Sequence, residues 1–477
     1  MVRKLVWSVV FLLLSTIVMA RTDNTPDYTP GVLIVKTADK SLPEGIPGLE
    51  IAQAKMGQGT IHILEVKDKD IPGLAKAISK RPGVIYAEPD YLLETASVSI
   101  TDPLFSEQWA LQNTGQSGGT VDADIDAPEA WAFSRKGAII AIIDTGVQLD
   151  HPDLQGQIWV NPGEDINHNG RADWYPASEG GDLDGIDNDN NCLDYPSNFG
   201  YINGCVDDLV GYDFVYSTGT CYDPDCSATD NDPSDGAGHG TAMVGIAAAA
   251  QNDIGIVGAC PNCKIMPLRV CYKNSATGIN GACSSLAVAW ALRYAVEKNA
   301  DVVSMSIGFT SQSSTLHDAI TYAHDNGLIL VAAAGNAAST TPQYPAAWSE
   351  VIAVANTDRN DKKWYSSNYG TWIDISAPGG QIMTTMLGST YNTVSGTSAS
   401  APFVSAAAAM LKAANRGLTN EQVRTILKSG SDNIDALNPT YAGLLGAGRL
   451  NMKNSICKVV PCSPVLPGKP THKIAAI

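Results

Sequence analysis

Three stretches of this chain carry the residue types that acyl chemistry at a carbonyl requires. In GTSASAPFVSAAAAM, residues 396–410, Ser398 stands among small residues, with Pro402 a few positions on and an alanine-rich run behind it. Proline is tolerated in a helix's first turn and alanine is the best helix former, so the pattern predicts Ser398 at the N-terminal end of a slim helix. A serine in that place is equally a cap for free backbone N–H groups. In GHGTAMVGIAAAA, residues 238–250, His239 is the one of the seven histidines bracketed by glycines at a helix start, where an imidazole can face a cleft. In KGAIIAIID, residues 136–144, Asp144 ends a buried strand, and a strand-end cap or a metal ligand would read the same way. A hydroxyl nucleophile needs a base for its proton, an acid to hold that base in the right tautomer, and donors for the oxyanion. Asp, His, Ser is one of the known chain orders for that constellation.

The elements that must position these residues alternate in type. After Ala110 the chain reads KIMPLRVC as a strand, SLAVAWALRYAVEKN as a helix and ADVVSMSIG as a strand. STLHDAITYAHDNG follows as a helix, then LILVAAAGN and VIAVANTD as strands. Such alternation predicts an α/β fold, a doubly wound and mostly parallel sheet flanked by helices. Ligands of such sheets gather at the carboxyl ends of the strands, and Asp144, Ser306 and Asn336 lie at or just past such ends.

Residues 28–94 make a separate unit. GVLIVKT and TIHILEV read as strands, DIPGLAKAISKRPG as a helix and VIYAEPDYLLE as a strand, a small α+β, ferredoxin-like domain. At about 70 residues it folds only marginally alone. TASVSITDP follows as a linker. Residues 1–20 join Arg3 and Lys4 to an apolar run ending at Ala20, which reads as a cleaved secretory signal too short for a stable span. A secreted, extracellular protein with no membrane partner is expected. Residues 457–477 read as a Pro-rich tail.

At 477 residues there is room for a large domain and a small one. The formal net charge of −18 argues against a nucleic-acid partner. Most of it comes from residues 161–236, which hold 17 acidic residues against one basic residue, Arg171. All ten cysteines stand at or after Cys192, as near neighbours: Cys192/Cys205, Cys221/Cys226, Cys260/Cys263, Cys271/Cys283 and Cys457/Cys462. Disulfides between neighbours are the expectation for an exported chain, although a CxxC also suits zinc or redox work.

Asp144 in IIDTG, His239 in GHGT and Ser398 in GTSASAP together resemble the subtilisin-like serine proteases, over residues 102–455. The resemblance implies a serine endopeptidase acting on polypeptides, with Ser398 as nucleophile, His239 as base then acid, and Asp144 orienting it. It implies Asn336 in AAAGN as an oxyanion donor, where an AGN turn would otherwise be a plain left-handed turn. It places a substrate strand beside Ser306, Ile307 and Gly308 and a side-chain pocket near Ala332, Ala333, Ala334 and Gly335. Ala346 stands where many relatives have glycine at the pocket floor, which would shorten it. Ala399, Ser400 and Phe403 depart from the family's usual residues after the serine, and none of them carries a proton. The resemblance also makes 21–101 a propeptide, with its core at 28–94, that templates folding and inhibits the enzyme. It would be cut between Tyr91 and Asp102, leaving a peptidase domain at 102–456, expected to be monomeric. A catalytically silent binding or adhesion module on the same fold is the alternative, which the intact residue set disfavours. An esterase would run Ser, Asp, His around GxSxG.

Calcium suits the acidic segment, since hard oxygen ligands match it. DINHNGRAD offers Asp165, Asn167, Asn169 and Asp173 at the spacing of an EF-hand loop, with Pro176 where the closing glutamate would stand. DGIDNDNN offers Asp187, Asp189 and Asn191, and VDD adds Asp207 after an insert bounded by Cys192 and Cys205. The resemblance implies a further calcium site at Asp102, Asp153 and Asn252, beside a structural His151.

Overall fold

The computed structural model describes residues 28–55, 58–67, 70–91, 100–189, 206–216, 229–274 and 280–462. The chain divides into two compact units, Met1–Ala96 and Ser97–Ile477. In the first, strands β1 (Tyr28–Thr37), β2 (Leu49–Lys55), β3 (Thr60–Glu65) and β4 (Val84–Tyr91) form an antiparallel sheet in the order β2-β3-β1-β4. Helix α1 (Ile71–Ile78) is started by Asp70, whose side chain accepts the Gly73 N–H at 2.9 Å. Leu33, Val35, Leu64, Ile71 and Ile78 close a small core. The expected strand–strand–helix–strand order thus gains a strand, β2. Its sequence LEIAQAK is exposed throughout, so it lacks the apolar alternation by which strands are read.

The second unit is built on a seven-stranded parallel sheet. Helix α2 (Ala127–Trp131) leads to β5 (Ile139–Asp144), β6 (Tyr212–Asp213), α3 (His239–Ala248) and β7 (Lys264–Arg269). A hairpin of β8 (Cys271–Lys273) and β9 (Asn280–Cys283) precedes α4 (Ser285–Glu297), β10 (Val302–Met305), α5 (Ser314–Asp325) and β11 (Ile329–Ala333). Then come β12 (Val351–Thr357), β13 (Ile375–Pro378), a hairpin of β14 (Ile382–Met386) and β15 (Thr390–Val394), α6 (Thr397–Ala414), α7 (Asn420–Gly430) and α8 (Met452–Ile456). The sheet order is β13-β12-β11-β10-β5-β7-β6.

Strands buried on both faces read as continuous apolar runs. In β5, Ile140 and Ile142 point to a core shared with α3 and α6, while Ala141 and Ile143 point to the core under α4 and α5. Every residue of α6 from Ala399 to Leu411 is buried, which its small side chains permit. Among the described residues no helix is long and apolar enough to cross a membrane.

Disulfides join Cys260–Cys263, Cys271–Cys283 and Cys457–Cys462, so this CxxC holds neither zinc nor free thiols. The pairs Cys192/Cys205 and Cys221/Cys226 fall outside the described residues.

Candidate active site

Asp144 arrives at the carboxyl end of β5 and His239 opens α3. His239 Nδ1 lies 2.7 Å from Asp144 Oδ1, which also accepts the Thr145 N–H at 2.8 Å. The carboxylate is 1% exposed and the imidazole 36%. A buried acceptor at Nδ1 places the ring proton there and leaves the Nε2 lone pair for the cleft. Burial alone would lower the pKa of His239, but the charge and hydrogen bond of Asp144, with Asp235 behind, hold it above 6.5.

Asp235 was not singled out in the sequence, yet it ties the two elements together. Its buried carboxylate accepts the N–H groups of Ala237, Gly238 and Thr241 and the hydroxyls of Thr145 and Thr241, at 2.7–2.9 Å. Thr145 Oγ1 in turn accepts the Gly240 N–H at 2.8 Å. Gly240 has to be glycine, because a Cβ there would stand 2.1 Å from the Gly146 carbonyl. Asp235→Ala is expected to let the β5 end and the α3 start drift apart. A displacement of about 1 Å costs up to about 10²-fold in rate. A kcat/KM within twofold of wild type would contradict this role.

Ser398 is the second residue of α6, half-buried, its Oγ 3.4 Å from the Ser306 carbonyl. Its N–H is one of the first-turn donors a helix leaves without an internal partner. Pro402 does not sit in the first turn as expected; it is the sixth helical residue. A proline there cannot donate to the carbonyl four residues back, which is that of Ser398. Ser306 Oγ makes good the loss, donating to Ser398 O at 2.8 Å. The proline thus leaves free the carbonyl by which Ser306 is tied to Ser398.

Asn336 follows β11. Its Oδ1 accepts the Thr397 N–H at 2.9 Å and the Thr397 hydroxyl at 3.2 Å, so its amide nitrogen is the free end. A Cβ on Gly396 would lie 3.3 Å from that nitrogen, which sets the amide beside the start of α6. Asp144, His239, Ser306, Ile307 and Gly308 line one cleft of about 520 Å³, with the stapled hairpin residues Cys271 and Cys283 on its wall.

Of the expected pocket residues, Ala332 and Ala334 are buried toward one core and Ala333 toward the other. Ala346 is likewise buried, 1% exposed. The side chain between the two glycines is Gln343. Its Oε1 lies 2.3 Å from where a Cβ on Gly335 would be and 3.2 Å from one on Gly308. Sequence offered no signal for Gln343, which reads as an ordinary loop residue.

Of the expected calcium ligands, Asp102 Oδ2 and Asp153 Oδ1 are buried with no hydrogen-bond partner. Asn252 donates its N–H to Asp102 Oδ1 at 3.1 Å, and Asp153 Oδ2 accepts the Ile256 N–H at 3.0 Å. Orphaned buried carboxylate oxygens of this kind fit a hard cation. In the EF-hand-like run, Asp165 accepts the N–H groups of Asn169 and Gly170 at 3.1 and 2.7 Å. Asn167 and Asn169 donate to Asp173 Oδ2 at 3.0 and 2.6 Å, and Gly170 takes φ +73°. Asp182, fully buried, accepts the N–H groups of Asn167 and Asp173. Asp187 and Asp189 meet Glu164, whose carboxyl is pushed up to about 7 by burial and by the charges of Asp208 and Asp189. The Asp207 carboxylate accepts the Asp184 and Gly185 N–H groups, at 3.0 and 3.1 Å, and the neighbouring Asp208 faces Glu164. Asn191 lies outside the described residues.

A doubly wound α/β sheet with a buried aspartate on a histidine, and a serine at a helix start, is the framework of a serine hydrolase. The subtilase family matches residues 135–448, and the chain belongs to that family. It is 34% identical to thermitase of Thermoactinomyces vulgaris over 334 residues, 70% of this chain and 93% of that protein. It is 31% identical to the thermophilic serine proteinase of Bacillus sp. (strain AK1) over 394 residues, 82% of this chain and 77% of that one. A solved protease from Pseudoalteromonas arctica PAMC 21717 superposes with a TM-score of 0.58 at 25% identity, covering 76% of this chain and 100% of the other. The protein is a serine endopeptidase.

Proposed function

We propose that Ser398, His239, Asp144 and Asn336 carry the reaction in a secreted, calcium-stabilised, monomeric endopeptidase that removes its own N-terminal unit. Ser398 Oγ attacks the scissile carbonyl carbon while His239 Nε2 takes the hydroxyl proton. The oxyanion is met by the Ser398 N–H and the Asn336 amide. On collapse His239 returns that proton to the leaving amine, and the acyl group stays on Ser398 until water, deprotonated by the same imidazole, releases it. Ser306–Gly308 offers its backbone edge to an extended substrate, and Gln343 sets the shape of the adjoining side-chain pocket. The observation that carries this reading is the 2.7 Å bond from His239 to a buried Asp144 in the cleft lined by Ser306.

The test is the pH dependence of kcat/KM on a peptide substrate. Only neutral His239 can act as base, and its pKa is raised, so activity is expected to climb with an acid limb above pH 6.5. Asp144→Asn removes the charge responsible and should move the limb down as well as cut the rate. A limb at or below 6.5 in the wild type would contradict the assignment.

Residues 21–101 act in this reading as an intramolecular chaperone and inhibitor, released by cleavage between Tyr91 and Asp102. Calcium would be held by Asp102, Asp153 and Asn252, by the Asp165–Asp173 loop, and by Asp187 and Asp189. It adds no catalytic step. A cation bound only by the folded state adds about 2.7 kcal/mol at one hundred times its Kd. Excess EDTA is therefore expected to lower the melting temperature by several degrees, and an unchanged melting curve would remove calcium from the account.

A further inference from the structure

The cleft has two walls, and the sheet sets them on opposite sides of Asp144. On one side β10 runs beside β5, and Ser306, Ile307 and Gly308 follow it directly. On the other side β7 pairs Arg269 with Asp144 and leads through Val270 into the β8–β9 hairpin. The Val270 N–H is donated to the Asp144 carbonyl at 2.9 Å, so the hairpin is rooted on the residue that holds His239. Cys271, Gly281 and Cys283 line the same cleft as Ser306, Ile307 and Gly308.

A hairpin of this kind is a weak wall by its ladder alone. β8 has three residues and β9 four, and a two-stranded ribbon is at best marginally stable in water. The ladder is also interrupted. Cys271 pairs with Cys283 and Tyr272 with Ala282, but Lys273 pairs with Asn280, so Gly281 is an extra residue on β9. Its φ of +94° is the left-handed conformation by which a glycine bulge turns a strand. The turn sets Gly281 beside Thr145, where a Cβ would stand 3.8 Å from Cγ2. The disulfide joins the first residue of β8 to the last of β9. Cys271 is 1% exposed and shares a core with Val288, Ala291 and Leu292 of α4, whereas Cys283 is exposed. The cross-link thus fastens the open edge of the cleft to the buried root of the hairpin.

We propose that the Cys271–Cys283 disulfide is a positioning element for substrate. It holds residues 281–283 in place across the cleft from residues 306–308, so that an extended peptide enters a slot already formed. A wall ordered before binding spares the substrate the cost of ordering it. The cross-link acts on the reach of the peptide along the cleft and not on the proton transfers at Ser398. This deepens the reading of residues 306–308 as a substrate edge and rests on it. Cysteine spacing predicts the pair, but only the fold shows that it closes on the cleft.

The test compares the parent protein with the double variant Cys271→Ala, Cys283→Ala, which leaves neither thiol unpaired. kcat/KM is measured on an octapeptide amide that spans the cleft and on the p-nitrophenyl ester of a single acylated amino acid. The octapeptide-to-ester ratio is expected to fall about tenfold in the variant, through the KM of the octapeptide, as the ordering of one or two side chains would cost. A variant that had only lost folded protein would lose both activities together and keep the ratio. A ratio within twofold of the parent's therefore overturns the proposal. Should the double variant fold poorly, Gly281→Val takes its place. A β-branched residue is an outlier at φ +94°, so the wall moves with the disulfide intact, and the same fall in ratio is expected. An unchanged ratio there overturns the proposal as well. If the parent cleaves both substrates in that case, the wider reading of the cleft survives. A parent that cleaves neither, with no fluorophosphonate adduct on Ser398, overturns both.

Discussion

Ser398→Ala is expected to lower kcat on a peptide amide by about 10⁶-fold, the size of the loss seen when subtilisins lose this serine. Without Oγ no acyl-enzyme can form, and the activity left over comes only from binding and oxyanion stabilisation. The substitution is small enough to leave the fold intact, because among the described residues the Ser398 Oγ hydrogen-bonds at 3.4 Å to the Ser306 carbonyl and to no other partner. Its carbonyl, which is the part held by Ser306, stays in place. The same variant should keep its N-terminal unit. Intact-mass measurement of the secreted product should show wild type shortened to a start between Tyr91 and Asp102, with the variant retaining residues 21–101. Equal masses would rule out self-processing, and an active variant would rule out Ser398 as nucleophile.

Asn336→Leu is expected to lower kcat by about 10²- to 10³-fold with little change in KM, the loss known for the oxyanion asparagine of subtilisin. The amide meets charge that exists only after attack, so its absence is felt in the transition state and not in substrate binding. Asn336 is preset for this, since Thr397 holds its Oδ1 from both backbone and hydroxyl and leaves the nitrogen free. A variant in which KM rises and kcat holds would make Asn336 a binding residue only.

Much of this was legible before any coordinates, and for physical reasons. Strands such as β5 and β11 are buried on both faces, so they read as apolar runs, and the fold class follows from their alternation with helices. Asp144, His239 and Ser398 announce themselves because each stands at an element end among glycines or small residues. Near-neighbour cysteines close short loops, which is why Cys271 and Cys283 could be paired from spacing.

What sequence did not show depends on contacts between distant residues. Asp235 looks like one more acid in an acidic stretch until its five donors are seen. Gln343 gains its place only when Gly308 and Gly335 are brought together. Pro402 reads as a helix starter, and its actual position makes sense only with Ser306 supplying the missing donor. Glu164 and Asp182 are fully buried, a property that the run of acids around them hides. Asp207 and Asp208 are adjacent, and only the fold shows that Asp207 accepts the Asp184 N–H while Asp208 meets the Tyr294 hydroxyl.

The most direct measurement is labelling with a fluorophosphonate followed by mapping of the adduct. Such a reagent phosphonylates a serine only when a base removes its proton and an oxyanion site receives the phosphoryl oxygen. One adduct per chain, on Ser398, lost in His239→Ala, is the predicted result. No adduct on the processed wild-type protein, or an adduct on a different serine, would contradict the assignment of Asp144, His239 and Ser398 to one catalytic site.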